Sequence, residues 1–412
     1  MRTHFPCSGP FRLLFHLRRK LLFVFLLLVH ISFVQENPCL GASDCSNQKE
    51  KAKDKPFSGD LYTNSSVEGQ KLVQTTFEQD GDGEPGRMLS VLFWNVENFF
   101  DWRNDSTTVS DAEFSAAGER HWTWKRFQAK ANAFAKALLW VESETGRLPD
   151  IVGLEEVENA FVLRQVLQKT LLRKLDYQYV HYDSPDRRGI DVALLYRSSV
   201  LELQEAKPCH LYSGSMVSQS EGAVSPSDTV LATRDILLCR FRTRDRVGFA
   251  VLVNHHPSKY GGAAESEPRR RIAVQRLRFL ADSLAAEGID RIIAGGDFND
   301  TPDNPVFCLL EPSLLPLHRD SFRRGEGTIK YEGKWELIDH VYVSSALMKL
   351  PFRPPTLRIL RIPFLLTRDT AYTGDKPLRT YLGPRYTGGV SDHLPVLVVV
   401  RLPGQHMAAE PP

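Results

Sequence analysis

The chain has 412 residues, a 42% hydrophobic fraction and a formal net charge of +2. Five basic residues and one acid fall within positions 1–43, which leaves about −2 for the rest and argues against a nonspecific duplex-binding protein. The six cysteines show no C-x-x-C spacing, so a thiolate zinc site is unsupported, and a core of this size does not need disulfides.

From the N-terminus, Arg18, Arg19 and Lys20 precede the fourteen-residue apolar run LLFVFLLLVHISFV at 21–34, with Gly41, Ala42 and Ser43 beyond it. This is the three-part plan of a secretory signal peptide over 1–43. The run is shorter than the ~20 apolar residues of a spanning helix. The expectation is an exported protein, periplasmic or secreted, without a stable membrane span once the signal is removed. An uncleaved anchor is the alternative. Residues 44–87 are rich in Lys, Asp, Gly and Ser and read as a polar linker. Residues 88–403 read as one catalytic domain, followed by a 404–412 tail.

Within that domain, apolar strand-like runs end in polar clusters. They are VLFWNVENFF at 91–100, IVGLEEVEN at 151–159, RRGIDVALLY at 187–196, VLVNHHPSK at 251–259, IIAGGDFNDTPDN at 292–304, LIDHVYVS at 337–344 and VSDHLPVLVVV at 390–400. The 292–304 segment is the most informative. An apolar run, then Gly295 and Gly296 for close backbone approach, brings Asp297, Asn299, Asp300 and Asp303 to a strand end, where open sheets bind ligands. A plain turn whose Asp and Asn side chains bond the backbone is the competing reading of this segment alone.

Helices are expected between the strands. Trp124, Phe127, Ala131, Phe134, Leu138 and Val141 recur at spacings of three and four, as do Ala273, Leu277, Leu280 and Leu284, and both stripes read as core faces. Arg269, Arg270 and Arg271 open a helix behind NHHPSK, with Lys259 in the same loop. They read equally as a solvated face or as phosphate contacts. Two polar insertions, about 206–230 and 351–389, read as specificity loops. The second carries Arg368, Arg379, Tyr381, Arg385 and Tyr386. Such interleaving suits phosphate contact and base stacking, although tyrosines more often pack a loop down.

The order and content of these motifs resemble the endonuclease/exonuclease/phosphatase superfamily, whose deoxyribonuclease-like fold also holds abasic-site endonucleases, sphingomyelinases and inositol-polyphosphate 5-phosphatases. The resemblance spans about 88–402. It implies an α/β fold, a four-layer α/β/β/α sandwich of two packed mixed sheets flanked by helices, in agreement with the alternation of strands and helices. It further implies that the Asn95 amide lies near the phosphate, that Glu97 sits close to the metal, and that Glu156 is the principal metal-binding glutamate. Glu155 stands where the family often has Gln. Asp297 and Asn299 would orient the attacking water and contact the phosphate. Asp392 and His393 match the closing SDH motif, and Asp339 would bond His393 and fix its tautomer. Arg188 resembles a phosphate-contacting arginine of bacterial members. The family's Asn-His-x-x-Ser-Lys pattern places the functional imidazole at His255, with His256 as the alternative; His256 otherwise reads as a partly exposed loop residue, and His340 takes the same bland reading.

The chemistry can be stated without the family. Phosphodiester hydrolysis needs a cation for the phosphate oxygens, an acid to position water and a donor for the leaving oxygen. Glu156, Glu97 and Asp392 are hard oxygen ligands suited to Mg²⁺, with Mn²⁺ or Ca²⁺ as alternatives. Asp297 would align the water, His393 would face the phosphate, and His255 is the candidate acid for the departing oxygen. The expectation is an exported, monomeric, metal-dependent phosphoesterase, first of all a nuclease acting on nucleic acid. The alternative is a phosphatase or sphingomyelinase-like phosphodiesterase acting on small or lipid-headgroup esters. A catalytically silent binding domain is disfavoured by the complete set Asn95, Glu156, His255, Asp297, Asn299, Asp339 and His393.

Overall fold

The computed structural model describes residues 86–104, 110–213, 229–259 and 262–403. The expected signal segment, nearly all of the 44–87 linker, residues 214–228 of the first insertion and the 404–412 tail lie outside the described residues.

Strands form where apolar residues run without helical spacing. They are β1 (Arg87–Phe99), β2 (Ile151–Val157), β3 (Tyr177–His181), β4 (Asp191–Arg197), β5 (Leu201–Cys209), β6 (Ile236–Thr243), β7 (Gly248–His255), β8 (Ile292–Asp297), β9 (Leu314–Pro316), β10 (Asp339–Ser344), β11 (Thr356–Ile359) and β12 (Val396–Leu402). Among the described residues they make two six-stranded sheets, ordered β11-β12-β1-β2-β4-β3 and β9-β10-β8-β7-β6-β5. Both sheets are mixed. β1 runs parallel to β2 and β7 to β8, and the other neighbours are antiparallel.

Side-chain alternation turns the sheets into layers, because successive residues of a strand face opposite ways. Along β1, Leu92, Trp94 and Val96 enter a core shared with the helices α1 (Trp124–Thr145) and α2 (Ala160–Lys169). Leu89, Val91 and Phe93 enter a second core, shared with the other sheet. Along β8, Ile293 faces that shared core, while Ile292 and Ala294 join Ala273, Leu277, Leu280 and Leu284 of α3 (Ala263–Ala286) in a third. Three cores between four layers give the α/β/β/α sandwich.

Helix α1 is closed at both ends. The Thr123 hydroxyl accepts from the Arg126 N–H, and Gly146, at φ 74°, donates its N–H to Glu142 O. Its buried stripe runs through Phe127, Ala131, Phe134, Leu138 and Val141, but Trp124 is 54% exposed at the helix start, contrary to the expected stripe. In α3 the helix begins six residues before Arg269, so the three arginines do not open it. The 351–389 segment is more ordered than a specificity loop would be. It supplies the edge strand β11 and two small hairpins, 366–377 and 381–386. Tyr381 packs down against Phe114 and Trp122. Cys209, Cys239 and Cys308 are free thiols. Among the described residues no helix is long and apolar enough to cross a membrane.

Phe93 fixes the approach of the two sheets. Its ring lies over Gly153 and Gly295, where an added Cβ would sit 2.6 Å and 2.5 Å from ring carbons. Interiors this tight do not absorb an extra carbon freely. Gly295→Ala is therefore expected to cost about 1–3 kcal/mol through overpacking, and Phe93→Ala about 3–5 kcal/mol through the cavity. Gly248→Ala, where nothing lies within 4 Å, should stay within about 0.5 kcal/mol of wild type. Urea unfolding of the three variants checks the order, and a neutral Gly295→Ala would remove Phe93 from this role.

Candidate active site

The site lies where the core between the sheets runs out. On β1 the inward series Val91 and Phe93 continues to Asn95, on β7 Val251 and Val253 continue to His255, and on β8 Ile293 and Gly295 continue to Asp297. On β10, Val343 and Val341 lead back to Asp339. The register aligns the last three, since Asp297 pairs with His255 on one side and Asp339 on the other. His393 comes from the turn before β12. That turn is held against β1 by the bond from Ser391 Oγ to Asn95 O (2.6 Å) and from the Trp94 indole to His393 O (3.0 Å).

Asp297 is the hub. Its Oδ2 accepts from Asn95 Nδ2 at 3.1 Å and lies 3.6 Å from His255 Nε2 and 3.9 Å from His393 Nε2, while Oδ1 accepts from the Asn299 N–H at 2.8 Å. The 3.6 and 3.9 Å approaches are electrostatic contacts, too long for hydrogen bonds. His393 Nδ1 lies 2.8 Å from Asp339 Oδ2, which makes Nδ1 the donor and turns Nε2 toward Asp297. Burial pushes the Asp297 carboxyl up to about 7, with His393 opposing and Asp339 adding to the rise. Burial disfavours the His393 imidazolium, but Asp339, Asp297 and Asp392 outweigh it and hold the ring well above the usual histidine range. His255 goes the other way: burial, then Arg234 and Arg188, push it well below that range. That direction disfavours the imidazolium that an acid for the departing oxygen would need.

Glu156 reaches the site through a backbone irregularity. β1 and β2 slip in register between Asn95 and Phe99, and Glu97, Asn98 and Glu156 have φ of 46°, 48° and 65°. Non-glycine residues held at positive φ mark a constraint set by their surroundings. The slip lets the Asn98 N–H donate to Glu156 Oε2 (2.8 Å) and brings Oε1 to 4.0 Å from His255 Nε2. Glu155 keeps the regular alternation and is fully buried, with neither carboxyl oxygen hydrogen-bonded. Burial, then Asp339 and Asp297, raise its pKa well above the carboxylate range, so it stands as a neutral acid. Gly296, at φ 129°, makes room for it, because a Cβ there would meet Glu155 Oε1 at 2.6 Å and Asn254 O at 2.1 Å.

A second cluster adjoins the first. Glu97 Oε1 accepts from Arg379 Nε (2.9 Å) and lies 2.8 Å from Nη2 of the same guanidinium, and its Oε2 accepts from the Thr380 N–H (2.8 Å). Arg379 Nη2 also lies 3.0 Å from Asp392 Oδ2. Lys130 is buried beneath, donating to Glu97 O and to Thr380 Oγ1. Burial and Asp392 push Glu97 up to about 7 against the pull of Arg379 and Lys130, and burial brings Lys130 down to about 8. Both Glu97 oxygens thus face protein donors, which departs from its expected place as a direct metal ligand. The remaining donor chemistry fits a hard divalent cation. Glu156 and Asp392 supply carboxylates, and Asp339 Oδ1 is buried without a hydrogen-bond partner.

Other expected residues fall outside the centre. Asp300 is tied to Lys259 (2.8 Å) and Arg270 (3.1 Å), so it holds the turn in place. Arg270 is consequently buried, which takes it away from substrate, and Arg271, half-exposed, pairs with Glu267 (2.9 Å). Asp303 is exposed. His256 and His340 are fully buried, not exposed loop residues. His256 packs on Phe298, and His340 stacks on Phe298 and His318. Arg188 is half-exposed, and Asn299 donates its amide to His256 O (2.9 Å).

Two residues escaped sequence reasoning. Arg234, buried, donates to Asp186 Oδ2 (3.0 Å) and His256 O (2.7 Å), holding the loop after β7, and no motif surrounds it. Lys130 had a signal: three residues after Phe127 and four before Phe134, it is a charge within the buried stripe of α1.

A sequence profile described as the Endonuclease/Exonuclease/phosphatase family matches residues 90–402. No curated protein matches the chain. Among solved structures, an endonuclease/exonuclease/phosphatase family protein from Bacteroides thetaiotaomicron is similar at 17% identity and TM-score 0.47, over 77% of this chain and 99% of that one. A mannosyl-6-phosphatase from the same organism is similar at 18% identity and TM-score 0.46, over 76% and 99%. Truncated TDP2 from Caenorhabditis elegans is similar at 14% identity and TM-score 0.48, over 76% and 98%.

The histidine stack beneath Phe298 makes the fold acid-sensitive. Burial brings His318 down to about 4, against about 6.5 in an unfolded chain. Its neutral form therefore contributes stability that is full above pH ~6.5 and lost as pH falls toward the folded value, up to roughly 3 kcal/mol. Urea midpoints at pH 7 and pH 5 should differ more in wild type than in His318→Gln. Equal losses in both proteins would exclude this contribution.

Proposed function

The chain belongs to the endonuclease/exonuclease/phosphatase family, a family of metal-dependent phosphoester hydrolases, and from that premise we propose that it is an exported phosphodiesterase acting on nucleic acid. The observation that carries the hydrolytic reading is the Asp339–His393 pair aimed at an Asp297 that Asn95 holds from the opposite sheet. In the proposed reaction the water oxygen forms a bond to phosphorus and its proton passes to Asp297, while the bond to the leaving oxygen breaks and that oxygen takes a proton from solvent. A carboxyl near pKa 7 suits a base at neutral pH. The His393 imidazolium, fixed by Asp339, places a charged donor against the phosphoryl oxygens as negative charge builds there. His255 stands 3.6 Å from Asp297 at the edge of the site, and Asn95 and Asn299 hold that carboxylate in place.

Glu156 and Asp392 are the residues that would hold a divalent cation, with Mg²⁺ as the proposed ion. Such an ion neutralises phosphate charge and favours in-line attack. Glu97 acts through Arg379, orienting the guanidinium beside Asp392.

The nucleic-acid reading is supported by Arg188 at the mouth and by Arg368 and Arg385, which are exposed on the 351–389 segment. A second reading, a headgroup-sized phosphoester, draws on the internal pairing of Arg270 and Arg271, which leaves few cations for an extended backbone. Export is supported by the Arg18–Arg19–Lys20 start and the apolar run behind it. The catalytic domain is proposed to span 88–403.

Purified protein should hydrolyse single- or double-stranded nucleic acid in Mg²⁺ and lose activity in EDTA. Asp297→Ala and His393→Ala should each lower kcat by about two to four orders of magnitude. Turnover of a phosphomonoester or phospholipid with nucleic acid untouched would move the assignment to the second reading. Undiminished activity in His393→Ala would remove the proposed mechanism.

A further inference from the structure

We propose a second cation site, on the outer face of the first sheet, formed by His181, Asp183 and Asp191 and suited to Zn²⁺ or Mn²⁺. Strand geometry brings the three together. In the β3–β4 pair His181 faces Ala193, so Asp191 is its diagonal neighbour on the same face, and Asp183 follows His181 by the two residues that return a strand to that face. Farther along, this face carries Tyr177, Ala193 and Leu195, which pack toward the helices. Asn95 and Glu155, in phase with Phe93 and Ile151, lie on the opposite, inter-sheet face, so the two sites are distinct.

One ligand atom from each of the three residues lies within 4.8 Å of the others. Among the described residues no other group of histidine, cysteine and carboxylate ligands meets that spacing. The His181 side chain is only 3% exposed, and its Nε2 is buried without a hydrogen-bond partner. That nitrogen lies 3.2 Å from Asp191 Oδ2, yet the approach lacks hydrogen-bond alignment, so a simple His–Asp bond does not account for the pair. A buried ring nitrogen left in this condition is costly unless something else engages it.

Asp191 is set up to present one oxygen. Its Oδ1 accepts from both the N–H and the hydroxyl of Ser184, which leaves Oδ2 toward the imidazole. Asp183 is 92% exposed and 3.9 Å from His181 Nδ1, so it can adjust to an ion and leaves room for water ligands. Asp235, close enough for its charge to interact with Asp191, has a buried Oδ2 without a hydrogen-bond partner and adds negative potential. One imidazole with carboxylates matches zinc or manganese, whereas Mg²⁺ prefers an all-oxygen octahedron.

The ligands flank residues 184–190, the turn that carries Arg187 and Arg188. Asp186 of the same turn is already gripped by Arg234. A cation at His181, Asp183 and Asp191 would fasten both stems of the turn and so fix the place from which Arg188 projects.

The test is a count of bound metal on the full chain by equilibrium dialysis against Zn²⁺, followed by elemental analysis. Wild type should bind two ions and Glu156→Ala one. Adding Asp183→Asn to Glu156→Ala should remove the second or weaken it at least tenfold, and His181→Gln should do the same. Asp183 is exposed, so its variant keeps the fold, and a circular dichroism melt confirms that. A single ion in wild type that disappears in Glu156→Ala, or an unchanged count in Asp183→Asn and His181→Gln, overturns the second site. An unchanged count in Glu156→Ala, with one ion lost in Asp183→Asn, instead removes Glu156 from the catalytic proposal and leaves this site standing.

Discussion

The period of two along a strand is the constraint on which everything else here depends. Asn95, Glu155, His255, Asp297 and Asp339 are each the next step of a series that supplies Val91 and Phe93, Ile151, Val253, Ile293 and Val341 to the core between the sheets. The same alternation that drives the sheets together therefore aims five polar side chains at one another where the apolar residues stop. Phe93 couples packing to chemistry. It fills the space left by Gly153 and Gly295, two residues before Asn95 and Asp297, and so sets the separation across which Asn95 reaches the Asp297 carboxylate. Because the interior is close-packed, a change in that separation cannot be confined to the core.

Gathering carboxyls at the end of a core has an electrostatic cost, and the molecule meets it in three ways. His393, Arg379 and Lys130 supply positive charge directly, to Asp339 and Asp297, to Glu97 and Asp392, and to the Glu97 carbonyl. Glu155 avoids the cost by staying protonated. Asp297 and Glu97, both pushed up to about 7, lie near the balance point between the charged and neutral forms. A fully buried acid at position 155 thereby becomes a neutral group with one donor and acceptor capacity, close in shape and polarity to the glutamine the family often has there. The departure from the family pattern seen in the sequence thus leaves the charge of the centre nearly unaltered.

How much was legible in the sequence follows from the same rule. The strands that carry the site and most of the two helical stripes follow from hydrophobic period, the layered fold is implied by the family resemblance, and the motif ends fall where the strands end. The choice between His255 and His256 also lies in the alternation, since only His255 is in phase with Val251 and Val253, whereas His256 turns to Phe298. What the sequence hid depends on irregularity or on distant pairing. Glu156 is out of phase and reaches the centre only through a register slip at positive φ, so its place rested on family resemblance alone. The burial of Arg270 required knowledge of Asp300 thirty residues away, and Arg234 is defined solely by the backbone carbonyl and the aspartate it bridges. Trp124 has the right spacing but starts its helix, where the core has not yet begun.

The 351–389 segment shows why an insertion should not be treated as an accessory to a finished site. Its strand β11 closes the edge of the first sheet against β12, the strand that follows the turn bearing Asp392 and His393. Tyr381 anchors the following hairpin on the helix side, and between these supports Arg379 and Thr380 reach Glu97. The segment consequently positions the SDH turn and determines the charge felt by its aspartate, while Arg368 and Arg385 remain outside on its surface. Catalytic geometry thus depends on this stretch of chain as well as on the strands of the two sheets. Exchanging this loop would therefore disturb Glu97, Asp392 and His393 together, whereas its exposed Arg368 and Arg385 can be substituted one at a time without touching these contacts.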